Sequence, residues 1–123
     1  MREIAVINTG AKIDLDKNIL NPLGNIGHIT VFSPTCETSE NSLGISFVKL
    51  PDDIVASRSK TFNFAYQHYF NIGHKDFLHV IEDRVLIFND PSSFMNEIEK
   101  MMTVFSLKSW YNTVCDVCNY TFM

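Results

Sequence analysis

The 123-residue chain has only three cysteines, too few and odd in number for a disulfide framework. Basic residues are also in deficit. Ten Lys and Arg face 14 Asp and Glu, a formal net charge of −4, which excludes the broad positive surface of a non-specific nucleic-acid binder. No apolar run approaches the roughly 20 residues needed to span a bilayer. The opening residues 1–10 lack the length and flanking pattern of a signal peptide. The expected setting is therefore cytoplasmic, with no membrane span and no nucleic-acid partner. Two glycine signatures are missing as well, G-x-G-x-x-G after the first apolar run and G-x-x-x-x-G-K-[ST] anywhere. Ordinary dinucleotide binding and P-loop hydrolysis lose their support with them.

What is present suits one folded domain, residues 1–123. The hydrophobic content is 46% and the charged content 20%, enough at this length to bury roughly two-thirds of the unfolded surface. Apolar runs at residues 3–8, 28–32, 45–50, 77–81 and 85–88 read as buried strands. Residues 11–20 suggest a short helix, ended by Asn21, Pro22, Leu23 and Gly24. Residues 35–42 carry no apolar period and read as a loop or short irregular helix. The strongest helix covers residues 57–72, with Phe62, Tyr66, Tyr69 and Phe70 as an apolar stripe beside Ala65. A last helix opens with Asp90 as N-cap and Pro91 at its first position. It continues through Phe94, Ile98, Met101, Met102 and Phe105. Strands alternating with helices predict an α/β, Rossmann-like, mostly parallel sheet flanked by helices.

The fourth strand ends in Glu82 and Asp83. Acids avoid burial unless paired or bound to a cation, and ligands in open α/β sheets sit at the carboxyl ends of strands. Two carboxylates there suit a divalent metal, which in turn suits a phosphate; they also suit the mere start of a polar loop. Cys115 and Cys118 form a C-x-x-C pair, with Cys36, His28, His68, His74 and His79 able to join it only through the fold. Ordinary reduced thiols are the expectation for them.

In their order these segments resemble the N-terminal, nucleotide-sugar-binding half of a glycosyltransferase with the GT-A fold. The resemblance rests on Asn8-Thr9-Gly10 after the first strand, on Ser57 to Asn63 opening the helix before the fourth strand, and on Val80-Ile81-Glu82-Asp83-Arg84-Val85, which is similar to the acidic motif related to D-x-D. It implies a truncated GT-A-like domain that binds a nucleoside-diphosphate sugar. Asn8, Thr9, Gly10, Arg58, Lys60, Asn63 and Arg84 would contact the donor, and Glu82 and Asp83 would hold Mg²⁺ or Mn²⁺. No catalytic residue is implied.

Two departures temper this. Arg84 stands where the family commonly has a third acid; its guanidinium can displace the metal by pairing with Glu82 and Asp83, or meet the phosphates itself. Enzymes of this fold also run about twice as long, so the acceptor half is expected elsewhere or absent, and transfer weak or absent. The competing expectation is a non-catalytic interaction module of the same fold that forms a homo-oligomer or pairs with a partner domain.

Overall fold

Apolar strands of the kind read above assemble side by side in the computed structural model, which describes residues 2–8, 16–35, 39–40, 44–73, 77–83 and 90–106. Four strands run parallel, β1 (Glu3–Ile7), β2 (His28–Ser33), β4 (Ser46–Lys49) and β5 (Leu78–Glu82), in the order β4-β2-β1-β5. β3 (Ser39–Glu40) pairs antiparallel with β4 at the edge, where a loop or short irregular helix is expected from the sequence. Two residues are too few for an apolar period to announce it. The registers put Glu3 beside His28 and Leu78, and Ile7 beside Phe32 and Glu82. This is a Rossmann-like α/β topology.

The chain moves one way from β1 through β2 to β4, then returns across β1 to β5. Right-handed crossovers therefore place successive helices on opposite faces of the sheet. On one face a π-helical turn, Asp16–Leu20, leads into α1 (Asn21–Leu23), and α3 (Pro91–Val104) joins them. There Ile4, Val6, Ile29, Val31 and Ile81 meet Ile19, Leu23 and Met95. On the other face α2 (Arg58–Asn71) packs Phe62, Ala65 and Tyr69 onto Ala5, Ile7, Phe32 and Val80. Alternate residues of each strand thus serve two cores, which is why the strands read as continuous apolar runs.

Several expectations are adjusted. Pro22 does not end the first helix but lies in the opening turn of α1, where its missing N–H is an orphan in any case; the helix closes at Gly24. In α2 the buried stripe is Thr61, Phe62, Ala65 and Tyr69. Phe70 is 77% exposed, because it falls about 80° beyond that stripe at 100° per residue. In α3 the buried residues are Met95 and Ile98, while Phe105 follows the last turn and faces solvent. The expected caps hold. Asp90 accepts from the main-chain N–H groups of Ser92 and Ser93 and from Ser93 Oγ, whose hydrogen bonds pull its carboxyl below the usual range. That carboxylate is committed to α3. Gly73, at φ +71°, ends α2 in a backbone conformation that L side chains rarely adopt.

An ionic network ties α3 to the start of the sheet. Glu99 Oε2 accepts from Arg2 Nε at 3.1 Å and from buried His79 Nε2 at 3.1 Å, and Asn96 Oδ1 accepts from Arg2. Burial holds the His79 ring below its usual pKa, against the opposing pull of the Glu99 carboxylate. Gly27 lets Arg2 pass, since a Cβ there would lie 2.6 Å from Arg2 Cγ and 2.9 Å from its carbonyl oxygen. The expected strand at residues 85–88, residues 11–15 and everything from residue 107 onward lie outside the described residues.

Candidate functional site

The strand order reverses at β1, whose neighbours are β2 on one side and β5 on the other. In open α/β sheets ligands bind at the carboxyl ends of the strands beside such a reversal, or switch point. Ile7 ends β1 and Glu82 ends β5 at the same register level, and Asp83 N donates to Ile7 O at 2.9 Å just beyond. α2 runs antiparallel to these strands and delivers its first residue, Arg58, to this rim.

A cavity of about 390 Å³ opens there. Ile7, Glu82 and Asp83 form its sheet side, Arg58, Thr61 and Phe62 its helix side, and Val55 and Ala56 the turn leading into α2. The helix side is set by local rules. Ser57 caps α2 by accepting from Lys60 N at 3.3 Å, and Thr61 Oγ1 donates to Ser57 O at 2.9 Å. Arg58 and Phe62, one turn apart, face the same way, with the guanidinium carbon 4.6 Å from the ring centroid.

Arg58 Nε donates to Glu82 Oε1 in a short ion pair, and both side chains keep contact with solvent. Asp83, by contrast, is only 2% exposed and has an interaction partner of its own. The site therefore offers one cation, two carboxylates and an aromatic wall.

Of the residues expected to act, Arg58, Glu82 and Asp83 are brought together. Lys60 and Asn63 are exposed and do not line the cavity. They lie about 160° and 140° around the helix from Arg58 at 100° per residue. Asn8 stands on the rim, its N–H donating to Phe32 O at 2.8 Å, but its side chain is not part of the wall. Thr9, Gly10 and Arg84 lie outside the described residues, as do Cys36, His74, Cys115 and Cys118. Sequence reasoning missed Phe62, Thr61, Val55 and Ala56 as lining. The i, i+4 spacing of Arg58 and Phe62 was the available signal; nothing local marks Val55 or Ala56.

Glu82 and Asp83 present hard oxygen donors of the kind Mg²⁺ and Mn²⁺ take. Among the described residues, however, no group of three or more His, Cys, Asp or Glu is arranged to hold a metal ion. The two acids fit such an ion only if a ligand's own oxygens complete the shell and Arg58 releases Glu82. Comparisons with protein-family models, curated proteins and solved structures find no match to this chain. No helix among the described residues is long and apolar enough to cross a membrane.

Proposed function

We propose that this chain is a GT-A-like domain that binds a nucleoside-diphosphate sugar in the switch-point cavity. The observation that carries the reading is the meeting of Arg58, Glu82 and Asp83 in one cavity at the carboxyl ends of two neighbouring parallel strands. A diphosphate bears two or more negative charges and competes with Glu82 for the Arg58 guanidinium. Freed carboxylate oxygens accept from ribose or sugar hydroxyls, and the Phe62 ring gives a flat apolar surface for a base or sugar face. Where Mg²⁺ or Mn²⁺ accompanies the donor, Glu82 and Asp83 would hold it, and it would neutralise charge on the diphosphate leaving group. Transfer activity is expected to be weak or absent.

Calorimetry with UDP- and GDP-sugars, with and without Mn²⁺, tests the proposal. Heat of binding that falls in Arg58→Ala and Asp83→Asn supports it. No heat with any donor in either condition overturns it.

A second reading, a non-catalytic module that oligomerises or pairs with a partner, is favoured by one observation. Phe70, Ile72, Val104 and Phe105 are large, apolar and more than half exposed at the ends of α2 and α3. Light scattering coupled to size exclusion separates the two: a dimer indifferent to nucleotide supports the module, and a nucleotide-binding monomer supports the donor site.

A further inference from the structure

The amino ends of the same strands carry a second polar group, independent of the donor cavity. Glu3, His28 and Ser46 are the first residues of β1, β2 and β4, three neighbouring strands. Period-two alternation puts all three on the α2 face, in line with Ala5 and Ile7, with Thr30 and Phe32, and with Val48. His28 Nδ1 lies 2.7 Å from Glu3 Oε2, and His28 Nε2 lies 3.3 Å from Ser46 Oγ.

In a neutral His28 ring these two contacts select one tautomer. An ionised carboxylate only accepts hydrogen bonds, so Nδ1 of the neutral ring carries its proton toward Glu3. Nε2 then presents its lone pair to the Ser46 hydroxyl, which donates to it. A hydroxyl, an imidazole that accepts its proton and a carboxylate that orients the imidazole make up the nucleophile, base and orienting acid of acyl-transfer sites, here in the chain order Glu, His, Ser. Access and support are both present. The His28 side chain is 38% exposed, whereas that of Glu3 is only 15% exposed and is well held. Tyr69, buried beside Thr30, closes the α2 side; burial pushes its phenol up to about 12, so it stays neutral across the physiological range.

We infer that Ser46 is a nucleophile activated by His28 and positioned by Glu3, able to cleave small activated carboxylic esters. Ser46 Oγ attacks the carbonyl carbon as its proton passes to His28 Nε2. The bond to the leaving alcohol breaks, and the alcohol oxygen takes that proton. Water then attacks the acyl-serine, again losing a proton to Nε2, and Ser46 regains its proton as the carboxylic acid departs. The sum is ester plus water to acid plus alcohol.

A fluorophosphonate probe, whose fluoride leaves when a serine oxygen attacks phosphorus, tests the inference by peptide mapping on the full chain. Ser46 is expected to be the serine that labels fastest. His28→Gln should slow its labelling by about a hundredfold, the scale of a lost general base. Glu3→Gln should slow it less, and Glu3→Asp should restore part of the rate, a readout that a purely structural role for Glu3 would not give. On the wild-type protein, turnover of p-nitrophenyl acetate should fall in proportion to Ser46 occupancy, a measurement that needs no variant to fold. Labelling spread over other serines, or Ser46 labelling unchanged in folded His28→Gln, overturns the inference. Neither outcome bears on the donor cavity at the opposite rim, which calorimetry reads separately.

Discussion

The two rims of the sheet use similar residue types in opposite ways. At the carboxyl rim two acids and an arginine border a cavity, where the strand order reverses at β1. At the amino rim an acid, a histidine and a serine lie flat across three strands that keep their regular spacing, and each group partners the next. The difference comes from topology: only the carboxyl rim contains the switch point. At the amino rim the polar residues pair along the sheet, whereas at the carboxyl rim Arg58 and Glu82 also pair, but beside a cavity that a ligand can enter. The first arrangement suits a proton relay, the second a binding site.

The largest expected effect comes from breaking what joins the rims. Phe32 is fully buried near the carboxyl end of β2, edge-on to Phe64, His68 and Tyr69. Phe32→Ala should cost about 3–5 kcal/mol by chemical denaturation and weaken function at both rims together. A loss at one rim alone would show that the rims are not coupled through this core.

Next come changes confined to the carboxyl rim. Arg58→Ala should lower donor affinity about tenfold, the scale of one lost charge-assisted hydrogen bond of about 1.4 kcal/mol. Because the Arg58–Glu82 pair is partly solvent-exposed and Arg58 more than half so, stability should fall by about 1 kcal/mol or less. Titration calorimetry beside thermal melting separates the two quantities.

A smaller, pH-dependent effect should arise near the amino rim, from His79. Its folded pKa lies below the unfolded value of about 6.5, so the unfolded chain binds more protons as pH falls. The stabilisation is complete above about pH 6.5 and declines as pH drops toward the folded pKa. His79→Gln, which cannot take up that proton, should flatten the acid limb of Tm against pH. An unchanged limb would remove His79 from the account.

Smallest is the cap at the entrance to the cavity. Ser57→Ala removes the acceptor for Lys60 N and should cost about 1 kcal/mol. Donor affinity should fall only as far as the first turn of α2, and Arg58 with it, loses its position.

Much of the frame was legible without coordinates. β1, β2, β4 and β5 were visible as apolar runs because a sheet covered on both faces buries both alternating sets of residues. α2 and α3 were visible through their periodicity and through Ser57, Asp90 and Pro91. β3 was not, since two residues are too few for an apolar period to show. The candidate site was half legible. Glu82 and Asp83 stood out as acids ending an apolar strand, and Arg58 as a cation at a helix start. Lys60 and Asn63, expected beside Arg58, do not line this cavity, because two or five residues along a helix turn a side chain away.

The order of apolar and polar residues alone determined that this chain forms an α/β sheet with helices on both faces, because each strand needs two apolar covers. It also determined where that sheet's strands end in charge. Only the tertiary structure decided that Arg58 meets Glu82 across 24 positions, and that Glu3, His28 and Ser46 come within hydrogen-bond reach on one face of the sheet. Those partnerships depend on strand order and register, which arise from the packing of distant segments and leave no local trace in the sequence.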